Sequence, residues 1–240
     1  MNIEELTSEL NQIKEEKYNL LKLVNHDIRS PFNRIFALLQ LFEMESKGVS
    51  GIQKEYIDSM YISLLSGLEM ITNLRDMREI DAGNIVIDRN HFDLIQIIQK
   101  SIRTFSKQTE VKNLSIITQL LIETAPIFSD EYFVQRIIEN VVSNAIKYSK
   151  PGKEIIISAN EIEKNYLVEI RDFGDGIKKE EEHLLFEKFK KLSSIASGGE
   201  GCIGLGLHNT LYFINKLNGS IKLKRDAQPG SIFSIVLPKQ

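Results

Sequence analysis

The sequence predicts an α+β protein: an N-terminal helical hairpin that a second copy completes into a dimeric four-helix bundle, then an α/β sandwich with a mixed sheet. Three observations predict it. Apolar residues over roughly the first eighty positions recur at helical spacing with one interruption, and beyond about residue 85 short β-rich runs alternate with amphipathic helices. Composition is the third: 240 residues, 42% hydrophobic and 26% charged, suffice for one large or two modest cores and exclude whole-chain disorder. Lys plus Arg number 30 against 33 Asp plus Glu, a net charge of −3, which argues against gripping nucleic acid through broad phosphate neutralisation. The one cysteine, Cys202, cannot form an internal disulfide or a multi-thiolate metal site, as suits a reducing compartment. No apolar run approaches the roughly 18 residues that span a bilayer. Met1 opens an acidic, polar helix rather than a signal peptide, so a soluble, cytoplasmic chain is expected.

In the first arm, Leu6, Leu10, Ile13, Leu20 and Val24 step by three, four and seven. Gly48, Ser50 and Gly51 break the pattern. It resumes with Ile52, Tyr56, Ile57, Met60, Leu64, Leu65, Leu68, Ile71 and Leu74 and ends at Asp81-Ala82-Gly83-Asn84. A first arm of this size is about 60 Å long, and two helices alone cannot shelter both apolar faces. The hairpin is therefore assigned to residues 1–81 and the second domain to 85–240. In the latter, Ile85-Val86-Ile87 and Leu114 to Leu121 read as strands, with a helix from Asp93 to about Thr109 between them. Ser129 or Asp130 caps a helix that runs to Tyr148 and stops at Ser149-Lys150-Pro151-Gly152. Glu154 to Ile162 and Tyr166 to Arg171 form a strand pair. After a polar, glycine-rich stretch from Lys178 to Gly201, a helix covers about Ile203 to Leu217, and Ile221 to Lys224 pairs with Ser231 to Leu237.

Four groups of residues carry chemistry. In Asn25-His26-Asp27-Ile28-Arg29-Ser30-Pro31, Arg29 and Ser30 share the face of His26, and Pro31 invites a bend beside it. His91, His183 and His208 read as solvated or structural. On the helix after Asp130, Arg136, Asn140, Asn144 and Lys147 line one stripe beside apolar faces. Asparagine is a weak helix former and costly to bury unpaired, so the stripe suits amide oxygens facing a metal and a cation facing phosphate, although it equally fits a solvated face. Arg171-Asp172-Phe173-Gly174-Asp175-Gly176-Ile177 follows a strand directly: the glycines admit a close ligand, and the carboxylate can accept from an exocyclic amine on a purine. Taken alone it is also an ordinary hairpin loop. Gly198 to Leu207 leads glycines into a helix start, where free N–H groups and the dipole favour phosphate. It is neither a Walker A loop nor a dinucleotide-binding turn.

The order of these features, with Phe186 and Phe189 between the third and fourth, resembles a sensor histidine kinase of two-component systems along essentially the whole chain. The resemblance implies a dimerisation and phosphoacceptor hairpin, then a catalytic ATP-binding domain of the gyrase, chaperone and histidine kinase ATPase fold. By it, His26 matches the phosphoacceptor and Asp27 the acidic neighbour that holds the imidazole proton; both are the catalytic candidates. Asn140 matches the Mg²⁺ ligand, with Asn144 alongside it. Lys147 matches a phosphate-contacting cation and Tyr148 a nucleotide-packing aromatic. Asp172 matches the adenine-reading acid, and Gly174 and Gly176 the glycines beneath the base. Phe186 and Phe189 look like part of a mobile lid, and Lys191 stands where the family often has a γ-phosphate cation. Gly204, Gly206 and Leu207 match the second glycine box.

ATP and Mg²⁺ are the implied cofactors. The implied partners are a second copy, as a homodimer, and a response-regulator receiver domain, with no nucleic acid and no membrane segment within this chain. The implied location is the cytoplasm, alone or as the cytoplasmic part of a larger or membrane-anchored sensor. Three positions depart from the pattern. Cys202 stands where a glycine commonly opens the second glycine box, Ser30 where strong phosphatases carry Thr or Asn, and Lys191 gives a point charge instead of a guanidinium fork. Two other functions share the fold: a catalytically silent dimeric scaffold, and a gyrase- or chaperone-like ATPase that would not need His26.

Overall fold

The computed structural model describes residues 28–45, 50–194, 196–198 and 200–240. The expected stripe from Leu6 to Val24, the turn residue Gly48 and the catalytic candidates His26 and Asp27 lie outside the described residues. The chain divides into two compact units, Met1–Ile85 and Val86–Gln240.

The described part of the first unit is a pair of helices, α1 (residues 28–45) and α2 (Gly51–Ala82). Ser50 starts α2 through a reciprocal capping box: its hydroxyl accepts from the Gln53 N–H, and the Gln53 side chain accepts from the Ser50 N–H at 3.0 Å. Gly83 ends it at φ 70°, and the Asn84 N–H returns to the Glu79 carbonyl at 3.0 Å. Leu39, Ile57, Tyr61 and Leu64 form the core between the two helices, with Phe32 and Phe36 packed against it. Phe36 meets Tyr61 edge-on, centroids 5.8 Å apart. The ring of Phe32 lies directly on Gly67, where a Cβ would come within 2.2 Å of it. Ile35, Leu38, Leu41, Phe42, Ile52, Tyr56 and Met60 are exposed, so the hairpin carries more apolar surface than its own two helices cover.

The second unit is built on a five-stranded sheet of order β2-β4-β5-β7-β6, with β2 (Ser115–Leu120), β4 (Glu154–Ile162), β5 (Asn165–Arg171), β7 (Ile232–Pro238) and β6 (Ser220–Lys224). Only β2 and β4 run parallel, so the sheet is mixed. Alternate residues, Ile155, Ile157 and Ala159 on β4, Val168 and Ile170 on β5, and Phe233, Ile235 and Leu237 on β7, are buried, the period of a sheet with one covered face. Helix α5 (Glu131–Tyr148) packs on β5 and between α3 (Leu94–Thr104) and α6 (Gly206–Lys216). Its Ile137, Ile138, Val141 and Val142 are fully buried.

Three expectations change. Ile85-Val86-Ile87 is not a strand: it joins no ladder among the described residues, and Val86 between its half-buried neighbours is 81% exposed. The strand comes later, as β1 (Asn90–Asp93), paired antiparallel with β3 (Pro126–Ser129); β1 itself shows no alternation of buried and exposed residues. The helix expected from Asp93 to Thr109 is two helices, α3 and α4 (Ser106–Val111), because Phe105 leaves helical geometry at φ −99°, ψ 7° and turns its N–H back to Ile102. Helix α6 starts at Gly206 rather than near Ile203, since Gly204 sits in the left-handed region at φ 69°. Among the described residues no helix is long and apolar enough to cross a membrane.

Candidate functional site

Asp130 anchors the start of α5 with both carboxylate oxygens: Oδ1 accepts from the Phe133 N–H at 3.0 Å and Oδ2 from the Asp88 N–H at 2.8 Å. From that fixed start, the helix presents Asn140, Asn144, Lys147 and Tyr148. Asn140 and Lys147 are buried, and Asn144 and Tyr148 half-buried. Asn140 is held in one orientation. Its Nδ2 donates to the Gly206 carbonyl at 3.2 Å and to Thr210 Oγ1 at 3.1 Å. Thr210 spends its own proton on the same Gly206 carbonyl at 2.9 Å, so both neighbours of the amide are acceptors there and only the NH₂ end fits. Oδ1 therefore faces the other way, buried and without a hydrogen-bond partner. A buried amide oxygen left open in this way costs stability unless a ligand uses it.

Such an oxygen suits a hard divalent cation. Among the described residues no group of three or more His, Cys, Asp or Glu could hold a metal unaided, so most of the ligands would come from a phosphate chain and water.

The loop after β5 forms a second cradle. Asp172 is 4% exposed, and its Oδ1 accepts from the N–H groups of Gly174 at 2.9 Å and Ser231 at 3.2 Å. Burial pushes its pKa above the ordinary carboxylate value, and hydrogen bonds from Gly174 and Ser231 oppose that push, as does nearby Arg171. Gly174 lies so close to the end of α5 that a Cβ would come within 2.3 Å of the Tyr148 carbonyl oxygen. Gly230, at φ 113°, packs on the Asp172 carbonyl, where a Cβ would come within 2.0 Å. Gly176, at φ 75°, faces the Gly230 carbonyl in turn. The backbone of the β6–β7 turn thus supports the carboxylate from below.

The third part is the start of α6. Its N-cap, Leu205, offers no side-chain acceptor to the first-turn N–H groups, the usual condition of a helix end that receives an anion. Gly204 brings this end against the Phe189–Lys190 backbone: its carbonyl accepts from the Phe189 N–H at 2.9 Å. Leu207 is half-buried and Lys191 exposed; Lys191 enters none of these contacts. His208 Nδ1 is in hydrogen-bond contact with the Phe186 carbonyl at 3.0 Å, and His91 packs on Phe128, which gives both rings structural surroundings.

Helix α5 joins all three parts: Asn140 touches the start of α6, and Tyr148 touches the loop after β5. Sequence reasoning did not single out Thr210, Ser231, Lys112 or Glu200. Thr210 stands four residues after Gly206, a helical spacing that could have flagged it. Ser231 follows the Pro229-Gly230 turn. The buried Lys112 donates to the carbonyls of Ile146 at 2.6 Å and Lys147 at 3.1 Å and to Glu200 Oε1 at 2.8 Å. Burial lowers its pKa; the Glu200 partner opposes that, while Lys147 adds to it.

The chain is similar to known proteins. Residues 129–240 match the family described as histidine kinase-, DNA gyrase B- and HSP90-like ATPase, which implies that this part binds ATP. Residues 16–83 match the His Kinase A (phospho-acceptor) domain. The chain is 27% identical over 230 residues to hybrid signal transduction histidine kinase B of Dictyostelium discoideum, covering 93% of this chain and 12% of that protein. It is 28% identical over 238 residues to sensor histidine kinase GacS of Pseudomonas protegens, covering 96% of this chain and 25% of that protein. It thus spans no more than about a quarter of the length of either relative. The solved histidine kinase AdeS of Acinetobacter baumannii shares the fold, with a TM-score of 0.58 at 23% identity over 90% of this chain and 98% of that one.

Proposed function

We propose that the chain is a sensor histidine kinase that phosphorylates its own His26 from ATP and passes the phosphoryl group to an aspartate of a response-regulator receiver domain. One observation carries the reading: a phosphoacceptor-type match containing His26 shares the chain with an ATPase-type match in which Asn140 Oδ1 is buried and open. In the proposed division of labour, residues 1–81 form the phosphotransfer hairpin and 85–240 the nucleotide domain.

The residues of the nucleotide domain would act by positioning. Asp172 would accept from the exocyclic amine of adenine, with Gly174 and Gly176 leaving room beneath the base and Tyr148 packing beside it. Lys147, Asn144 and the α6 start at Gly204, Gly206 and Leu207 would receive the phosphates, and Lys191 would reach the γ-phosphate. Asn140 would hold Mg²⁺ through Oδ1. When bound, the ion neutralises charge on the phosphate chain.

At His26, a neutral imidazole offers Nε2 as nucleophile while Asp27 keeps the proton on Nδ1. The new N–P bond forms as the P–O bond to the leaving ADP breaks, and the γ-phosphorus has to come within about 3–3.5 Å of that nitrogen. The labile N–P bond then gives way to an aspartyl phosphate on the receiver. A homodimer is supported by the apolar surface of Ile35, Leu38, Leu41, Phe42 and Met60 on the hairpin. The proposed location is the cytoplasm.

Incubation with γ-labelled ATP tests the reading. The kinase acquires acid-labile, base-stable label that His26→Gln abolishes. A silent scaffold takes none, and an ATPase releases phosphate without labelling the protein; either result refutes the proposal.

A further inference from the structure

Lys112 uses all three of its ammonium donors inside the protein, two on the last carbonyls of α5 and one on Glu200. The side chains of the pair are 3% and 6% exposed. The other oxygen of Glu200, Oε2, accepts from the Gly198 N–H at 2.9 Å. Next to it, Ser197 donates its N–H to the Lys147 carbonyl at 2.9 Å and its hydroxyl to the Ser149 carbonyl at 2.6 Å. The approach to the glycine-rich start of α6 is therefore tied, through side chains and backbone, to the end of the helix that carries Asn140, Asn144 and Lys147.

A buried ion pair is weak grounds for stability, because desolvation offsets much of its attraction. What this one supplies is geometry. A cation suits the negative end of the α5 dipole, and no neutral side chain offers three donors from a single atom. The carboxylate compensates the cation and at the same time orients the Gly198 N–H.

We infer that Lys112 and Glu200 are a positioning pair for nucleotide: they clasp the segment leading into Gly204 and Gly206 onto the end of α5, so that the two phosphate-facing walls keep a fixed spacing. The inference rests on the nucleotide site proposed above and adds to it two residues that touch no ligand. Lys112, in the turn between α4 and β2, stands far from the motifs in sequence and acts only through what it holds.

The test uses the full chain and two variants, Glu200→Gln and the double replacement Lys112→Met/Glu200→Leu. Three readouts are taken: ATP affinity by titration calorimetry with Mg²⁺, the rate of tryptic cutting at the exposed Lys190 and Lys191, and the melting temperature. Glu200→Gln is expected to weaken ATP binding about tenfold, the scale of one lost charged hydrogen bond, and to speed cutting several-fold. The double replacement removes both buried charges and is expected to recover most of the melting temperature. It should remain weak in ATP binding and quick to be cut, which a purely structural role would not produce.

Should Glu200→Gln fail to fold, the double replacement gives the answer alone. Parental ATP affinity or a parental cutting rate in a folded variant overturns the clasp. If the parent chain itself binds no ATP, the nucleotide-site reading fails, while the cutting rates still decide whether the clasp exists.

Discussion

Replacing Asp172 by Asn separates recognition of the base from stability of the fold, and the two effects should have opposite signs. Oδ1 is held by the N–H groups of Gly174 and Ser231, which an asparagine oxygen can also accept. The atom that changes is therefore the second one, from an acceptor to an NH₂ donor. Facing the amine of adenine, as proposed above, it would set donor against donor. A hydrogen bond to a charged acceptor contributes about 1.5–3 kcal/mol, and at about 1.4 kcal/mol per decade ATP affinity should fall about 10- to 150-fold. Inosine triphosphate, which carries a carbonyl in place of the amine, should lose little or gain.

Stability should move the other way. Burial raises the pKa of Asp172, so the native state holds this proton more tightly than the unfolded chain does. Its contribution to stability is present below the ordinary carboxylate pKa and is lost as pH rises through the higher native value. Asp172→Asn should accordingly melt above the parent at neutral pH, with the advantage shrinking on acidification. Calorimetric titration with both nucleotides and a melting series from pH 4 to 8 measure the two halves. Unchanged ATP affinity in a folded variant would refute the assignment of the base to this carboxylate.

Asn140→Ala should abolish labelling from γ-labelled ATP while leaving the oligomeric state intact; equal label in the variant, read beside a sedimentation profile, would remove the metal assignment. Thr210→Val deletes the hydroxyl that helps to fix the Asn140 amide, at a cost of about 0.5–1.5 kcal/mol, so the Mg²⁺ concentration at half-maximal ATP binding should rise several-fold with little change in Mg²⁺-free binding. Gly230→Ala forces a side chain at φ 113° against the Asp172 carbonyl and should lose at least about 1–3 kcal/mol in denaturant titration, together with ATP affinity.

The elements legible in the sequence were those with a strong period and a punctuated end. Helix α5 alternates apolar faces over 18 residues between Asp130 and Ser149, and β4 and β5 alternate cleanly on either side of a two-residue turn. The α2 cap was visible as a break at Ser50, although the return bond from Gln53 was not. The ribbon of β1 and β3 escaped because each strand has four residues, too few for a period to show, and β1 has no fully buried residue. At the site, residue types could be read from local motifs, but orientation could not. Nothing in the spacing of Asn140 says which end of its amide points outward; that follows from Thr210 and Gly206, some seventy positions away. Lys112 and Glu200 follow no spacing rule, since the fold alone makes them neighbours.

The contact between Phe32 and Gly67 bears on how a twist of the hairpin would travel. The ring occupies the volume that any other residue at position 67 would fill with its own side chain, so α1 and α2 meet there as a peg in a notch. Rolling α1 about its axis must lift the peg out before it can seat elsewhere, because close-packed contacts switch between discrete arrangements instead of deforming smoothly. A bulkier residue at position 67 would evict the ring from that notch and wedge the two helices apart at this level.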